Sequence, residues 1–224
     1  MVSLDKTKIY KADCHTHPLE HNYYPGISMW KMLSRSDEFA IETMVTLGIH
    51  RGLDVIAITD HNICSSGFYG KEYAEVNALP IIVLPGCECS VLHNGQEIHI
   101  LALGIQEPFR LGEWDKAQYV IDSIHCAGGL AVLSHPHYYD GVFTDLKGLL
   151  DGYERFNGVN AILNPDFPIF NREGAEKSGL FSTCGSDYHM NDWLTKEQRR
   201  AKYRVSYENS PELWIRINML DTRK

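Results

Sequence analysis

Histidine and acidic side chains recur in short clusters along this chain of 224 residues. The first cluster, A-D-C-H-T-H-P-L-E-H, contains His15, His17 and His21. Later clusters are T-D-H at 59–61, G-C-E-C at 86–89, S-H-P-H at 134–137 and G-S-D-Y-H at 185–189. Imidazole nitrogen with carboxylate oxygen, and no organised thiolates, suits Zn²⁺, Mn²⁺ or Fe²⁺. The residue types therefore indicate a metal centre.

The candidate ligands are too many for a single ion. The clusters offer about nine histidine and carboxylate side chains. One ion takes roughly four to six protein ligands, so we predict two or three divalent ions (Zn, Mn or Fe) in a shared cavity. Grouped dications bind anionic oxygens, lower the pKa of bound water to about 7 and stabilise displacement at phosphorus.

Each cluster lies at the end of a short apolar run that we interpret as a β-strand. The runs are 8–15, 54–61, 79–88, 97–104, 129–136, 151–157 and 179–187, and helical periodicity follows in segments such as 36–50 and 113–127. Continuous apolar strands are typical of a parallel sheet that is covered on both faces. The pattern predicts one α/β domain over residues 1–224 that forms a closed (β/α) barrel, with an open doubly wound sheet as the alternative.

A barrel of this kind explains why residues distant in the sequence should act together. In a parallel barrel the carboxyl ends of all strands open on the same face, where active sites are built. His15 and His17 are two residues apart and therefore point to the same side of their strand. By the same alternation Glu88 faces away from Cys87 and Cys89, which we interpret as buried, reduced thiols.

Composition limits the partners and the compartment. The formal net charge is −8, which argues against an extended nucleic-acid-binding surface because such surfaces need clustered Lys and Arg. We identify neither a signal peptide nor a run of about 20 apolar residues that could span a membrane. We therefore expect a cytoplasmic protein whose partner is a small phosphorylated substrate, and the oligomeric state is left open.

The motif blocks resemble those of the PHP (polymerase and histidinol phosphatase) family, and the resemblance covers residues 12–189. The matching blocks are H-T-H at 15–17, T-D-H at 59–61, G-C-E at 86–88, H-I-L at 99–101, S-H-P at 134–136 and S-D-Y-H at 186–189. H-x-H alone is shared with many metal hydrolases, whereas six blocks in this order are a specific signal. The resemblance implies a distorted (β/α)7 TIM-like barrel, a trinuclear metal site and phosphoesterase activity. It implies as ligands His15, His17, His61, Glu88, His99, His135, Asp187 and His189.

The chain departs from the family pattern after the first block. A ninth ligand, often an aspartate, usually follows H-x-H by several residues, but Asn22 stands five residues after His17. Asparagine is a poor ligand for that role. We predict that His21 takes its place, with Glu20 or a missing ligand as the alternatives.

Together these features predict an enzyme, a metal-dependent phosphoric ester hydrolase that cleaves a phosphomonoester of a small metabolite or nucleotide with a metal-bound hydroxide. The residues expected to be catalytic are His15, His17, His61, Glu88, His135, Asp187 and His189. The alternatives are an exonuclease or phosphodiesterase, an amidohydrolase-like hydrolase, and a non-catalytic metal-binding module.

The roles of several other polar residues stay open. Asp60 either orients the site or caps its strand, and Tyr138 could contact substrate. Glu154 and Asn157 either face the cavity or reflect ordinary polarity at a strand end.

Overall fold

The computed structural model describes residues 10–19, 29–112, 114–139, 141–163, 170, 175 and 178–190. The strands there are β1 (Ala12–Asp13), β2 (Thr16–His17), β3 (Val55–Ile58), β4 (Ile82–His93), β5 (Gln96–Leu103), β6 (Leu130–Leu133), β7 (Gly152–Asn157), β8 (Phe181–Gly185) and β9 (Tyr188–His189). The helices are α1 (Arg35–His50), α2 (Ser65–Val76), α3 (Ala117–Cys126), α4 (Val142–Leu146) and α5 (Gly158–Leu163), with a 3₁₀ turn at Pro136–Tyr138. The seven predicted strands listed above each have a counterpart here, and the further strand and helix expected in the C-terminal stretch 204–220 lie outside the described residues. None of the described helices is long and apolar enough to cross a membrane.

The sheet is nearly closed into a barrel. Seven strands are hydrogen-bonded in the order β1-β3-β4-β5-β6-β7-β8. The two ends of this sheet meet, because the Cys14 backbone N–H donates to the Cys184 carbonyl at 3.1 Å. Beyond that contact β2 and β9 pair in parallel, with His17 opposite His189. The predicted TIM-like α/β barrel is therefore confirmed, and the open alternative is not.

One strand runs against the others, so the expectation of a wholly parallel sheet is wrong for β5. This strand is antiparallel to both β4 and β6. It follows β4 through a hairpin instead of a helix, and Asn94 and Gly95 have φ values of 50° and 80°. An Asn-Gly pair favours this type of turn. Because β5 is reversed, its first half, with His99, lies at the end of the barrel where the other strands finish.

The helices that cover the sheet begin and end for local reasons. α1 begins one residue earlier than predicted, and Ser34 and Asp37 form a capping box in which each side chain bonds the other's backbone N–H. α2 was not predicted, because glycines interrupt its apolar pattern. They allow close packing: a Cβ atom at Gly67 would lie 2.8 Å from the Gly86 nitrogen.

The cysteines of β4 lie in the core, as expected. Cys87 and Cys89 are fully buried and unpaired, and they pack in an apolar cluster that includes Ile121 and Ile124 of α3. Glu88 lies between them and is buried on the opposite face, inside the barrel. The prediction of a single domain over residues 1–224 stays a prediction.

We expect the Gly95→Ala variant to be less stable than the parent by about 1 kcal/mol, because alanine at a positive φ is strained. No atom lies within 4 Å of a Cβ placed at Gly95, so crowding would not contribute. Gly148 is equally open but does not have a positive φ, and Gly148→Ala is therefore the matched control. Urea unfolding of both variants measures the difference. Equal free energies of unfolding would contradict the turn geometry.

Candidate metal centre

The carboxylate of Glu88 is the meeting point of the predicted ligands. Five histidine side chains approach it: four lie in or just after strands that finish at this end of the barrel, and His99 lies in the first half of the reversed strand β5. Oε2 lies 3.3 Å from His15 Nε2, 3.4 Å from His17 Nε2 and 3.1 Å from His61 Nδ1, and Oε1 lies 3.1 Å from His99 Nδ1 and 3.0 Å from His135 Nε2. The two oxygens of one carboxylate thus face two different groups of rings.

The last motif block completes this cluster. Asp187 Oδ1 lies 3.4 Å from His17 Nε2 and 3.7 Å from His15 Nε2. His189 Nε2 lies 3.5 Å from His61 Nε2. The fold therefore brings together all the predicted ligands except His21, which lies outside the described residues together with Glu20 and Asn22.

Two of these residues have backbone conformations that non-glycine residues rarely adopt. His135 has a φ of 27° and Asp187 a φ of 52°. Such conformations cost roughly 1–3 kcal/mol and persist where surrounding contacts hold them. The Asp187 N–H donates to the His15 carbonyl at 2.9 Å, and the His135 N–H donates to Glu154 Oε2 at 2.8 Å. Both turns are thereby fixed at the strand ends.

Hydrogen bonds from residues that are not candidate ligands orient the groups around Glu88 Oε1. Ser134 Oγ donates to Glu88 Oε1 at 2.8 Å. The Tyr139 hydroxyl oxygen accepts the His99 backbone N–H at 3.0 Å and lies 3.2 Å from His135 Nδ1. If that oxygen also accepts the Nδ1 proton, Nε2 of His135 is left as a bare ligand. Sequence reasoning missed Tyr139, because nothing in H-P-H-Y-Y distinguishes it from its neighbour.

The residues whose roles were open now have defined places. Glu154 and Asn157 are completely buried and face the cavity: Glu154 Oε1 lies 3.0 Å from His15 Nδ1. Asp60 Oδ1 accepts the Leu19 N–H at 2.9 Å, which ties the end of β3 to the segment after the first block. The Asp60 side chain is buried, and this raises its pKa to about 7.

Tyr138 lies at the edge of the cluster. Its side chain is exposed, and its ring packs edge-on against His135 with 5.3 Å between the ring centroids. This position is compatible with the predicted contact to substrate, which stays a prediction.

Negative charge is concentrated in the cluster. Burial alone would raise the pKa of Glu88, but His15, His99 and His61 hold it well below its ordinary value. Burial would lower the pKa of His15, yet Glu88, Asp187 and Glu154 raise it well above its ordinary value. Glu88 is therefore ionised, and a protonated His15 or a bound cation can balance its charge.

His17 provides the most direct test of whether a cation fits. Burial, together with His189 and His61, lowers the pKa of His17 well below its ordinary value, so its ring is neutral. Both ring nitrogens are buried, and neither has a hydrogen-bond partner among the described residues. Its Nε2 nevertheless lies 3.4 Å from both Glu88 Oε2 and Asp187 Oδ1. Donors bound about 2.1 Å from a tetrahedral Zn²⁺ are about 3.4 Å apart, so the spacing suits a shared ion.

Within the described ranges, the donors form three overlapping groups, each with ligand atoms that lie within 4.8 Å of one another. They are His15-His17-Glu88, His61-Glu88-His99 and His17-His61-His189. Because they share members, the groups form one continuous centre, and its donor set could hold more than one divalent ion.

Comparison with known proteins identifies the architecture. No model of a known protein family matches the chain. Its fold is similar to that of an amidohydrolase from Chromobacterium violaceum solved with bound sulfate and no metal, with 16% identity, a TM-score of 0.55, and 87% of this chain and 97% of that one covered. It is also similar to a two-domain protein from Bacteroides vulgatus that contains a predicted PHP-like metal-dependent phosphoesterase, with 20% identity, a TM-score of 0.54, and 84% of this chain and 54% of that one covered. This chain has a PHP-type fold.

Two further proteins are similar to this chain. A Bifidobacterium adolescentis protein, whose assignment as a metal-dependent phosphoesterase is itself a prediction, is 16% identical with a TM-score of 0.55 over 84% of this chain and 94% of that one. An uncharacterized protein of Methanocaldococcus jannaschii is 29% identical over 157 residues, which are 67% of this chain and 83% of that protein. In this PHP-type barrel, the candidate ligands of the six sequence blocks meet around Glu88.

We expect Tyr139→Phe to weaken divalent-metal binding by roughly 10-fold, since loss of an outer hydrogen bond to a ligand histidine typically costs 10–100-fold. The substitution also leaves the buried His99 N–H without its acceptor, which should destabilise the fold by about 1–3 kcal/mol. Competition with a chromogenic chelator measures the affinity. Tyr138→Phe is the control, and equal affinities for both variants would contradict a role for the Tyr139 hydroxyl.

Proposed function

We propose that the chain is a metal-dependent phosphomonoesterase that acts on a small phosphorylated metabolite or nucleotide. The observation that carries the proposal is the crowding of donors around Glu88, whose oxygens lie no farther than 3.4 Å from five histidine nitrogens. So many donors exceed the roughly four to six that one ion takes. Two or three divalent ions (Zn, Mn or Fe) would use them fully.

Glu88 suits the place between two ions. Its Oε2 faces His15, His17 and His61. Its Oε1 faces His99 and His135. A carboxylate with a different set of ligands on each oxygen can be shared by two cations. When bound, such ions would neutralise phosphate oxygens, activate water and stabilise the charge that develops at phosphorus.

The exposure of the rings indicates the side from which substrate approaches. The side chains of His99 and His189 are 22% and 32% exposed, while those of His15 and His17 are at most 1% exposed. The first pair therefore forms the mouth of the centre and the second its floor. A small phosphoryl group would enter between His99 and His189, and water would be excluded at the floor.

Features of the similar solved structures support the hydrolysis of a phosphate ester. The Chromobacterium structure holds sulfate, which is a tetrahedral oxyanion like phosphate. Two of the similar structures are predicted phosphoesterases. Because the Chromobacterium protein is named an amidohydrolase, hydrolysis of a C–N bond is the second candidate.

The test uses protein purified without added metal. We expect metal analysis to find two or three divalent ions per chain, and we expect turnover of p-nitrophenyl phosphate but not of bis(p-nitrophenyl) phosphate or p-nitroacetanilide. His61→Ala and Asp187→Asn should reduce turnover by more than about 100-fold, because a ligand contributes more than its outer hydrogen-bond partner. A chelator should have the same effect.

The control is His50→Gln, which replaces an exposed histidine at the end of α1, away from the cluster. It should retain full turnover. Turnover of the anilide alone would favour the second candidate. Bound metal without turnover of any substrate would favour a non-catalytic module, and unchanged turnover in both ligand variants would refute the proposed site.

A further inference from the structure

A buried carboxylate outside the predicted ligand set contacts two of the ligands directly and a third through a neighbouring amide. Glu154 lies on β7, is completely buried, and uses both of its oxygens in hydrogen bonds. We propose that Glu154 is the positioning residue of the metal centre. It orients the ring of His15, fixes the backbone of His135 and, through Asn157, holds the carboxylate of Asp187.

The first arm of this network orients His15. Glu154 Oε1 lies 3.0 Å from His15 Nδ1, and a carboxylate oxygen accepts the hydrogen bond of such an N–H group. In the neutral ring that an ion requires, the proton stays on Nδ1, and Nε2 is the nitrogen available to the ion. Nε2 faces Glu88 and has no hydrogen-bond partner among the described residues. A carboxylate behind a metal-binding histidine fixes its tautomer and raises its basicity.

The second arm holds the turn after β6. Glu154 Oε2 accepts the His135 N–H at 2.8 Å, at the residue whose φ is 27°. A hydrogen bond to a carboxylate is stronger than one between neutral groups, and this one is made at the residue whose backbone conformation is strained. The contact therefore helps to keep His135 directed at Glu88.

The third arm reaches the last motif block. The Asn157 side-chain nitrogen donates to Glu154 Oε2 at 3.0 Å and to Asp187 Oδ2 at 3.2 Å. The orientation of this amide is fixed, because its oxygen accepts the Asn160 N–H at 2.9 Å. Asp187 is thereby held with Oδ1 toward His17 and His15.

The neighbouring strand leaves space for the first arm. Gly185 ends β8, and a Cβ at this position would collide with His15 Cβ and Glu154 Oε1. Only glycine allows the contact between His15 and Glu154 without displacement of one of them. Gly185 does not have a positive φ, so its backbone conformation does not require glycine. The absence of a side chain is required by the contact between His15 and Glu154.

The network requires a carboxylate and not an amide. Glutamine has one oxygen and one NH₂ group, so its NH₂ would oppose either the His15 Nδ1–H or the donors of His135 and Asn157. Aspartate keeps the charge but is one methylene shorter and cannot reach both sides. The two substitutions therefore separate positioning from charge.

The experiment measures the affinity of the apoprotein for Zn²⁺ by chelator competition, together with the visible absorption spectrum of the Co²⁺-loaded protein. We expect Glu154→Gln and Glu154→Asp each to lower the affinity by about 10- to 100-fold and to change the Co²⁺ spectrum. Thr183→Val is the matched control. Thr183 pairs with Glu154 across β7 and β8, and in the described part of the chain its buried hydroxyl has no hydrogen-bond partner. This control should match the parent protein.

The inference rests on the metal centre of the proposed function but not on its substrate, and the outcomes distinguish the two. A parent protein that binds no divalent ion overturns both. A parent that binds Zn²⁺ while both Glu154 variants bind it equally well, with an unchanged Co²⁺ spectrum, overturns only the role of Glu154. If Glu154→Asp alone keeps full affinity, the charge of residue 154 matters and its position does not, and this result also overturns the positioning role. Circular dichroism of the apoproteins shows that a loss of affinity is not a loss of fold.

Discussion

The burial of one ionised carboxylate, that of Glu88, imposes the constraint on which this end of the barrel depends. An unpaired charge in a protein interior is strongly destabilising. Among the described residues, every ion pair of Glu88 is made with a histidine. An imidazole nitrogen can carry a proton that pairs with the carboxylate, or it can lose that proton and bind a cation. Pairing with histidines therefore suits a metal centre better than a permanent salt bridge to Lys or Arg would.

The reversed strand β5 is a consequence of the same constraint. A helix between β4 and β5 would have kept β5 parallel and placed His99 toward the far end of the barrel, remote from Glu88. The hairpin at Asn94 and Gly95 instead sets His99 opposite Ser90, two residues from Glu88 on the adjacent strand. Side chains in such diagonal positions are within reach of one another, and the His99 Nδ1 to Glu88 Oε1 distance is 3.1 Å.

What the sequence predicts, and what it does not, follows from the range of the interactions involved. Apolar runs and two-residue spacings are local, and they were sufficient for the strands, for the shared side of His15 and His17, and for the opposite faces of Glu88 and Cys87. Strand direction is not encoded in apolar composition, since a buried antiparallel strand and a parallel one look alike. Tyr139 and Glu154 act through contacts 4 to 139 residues away in sequence, and their types alone do not distinguish them from ordinary polar residues.

Stability and function are opposed in this centre. Without metal, the group of residues around Glu88 includes the buried carboxylates of Glu88, Glu154 and Asp187 and the strained backbone of His135 and Asp187. A cation that binds only the folded chain stabilises it by mass action, by about 2.7 kcal/mol at a concentration 100 times its dissociation constant. The apolar clusters on the outer face of the sheet must therefore hold the barrel together before a cation binds. The thiols of Cys87 and Cys89, which flank Glu88 in the sequence, belong to that outer face. They are therefore packed away from the ligands.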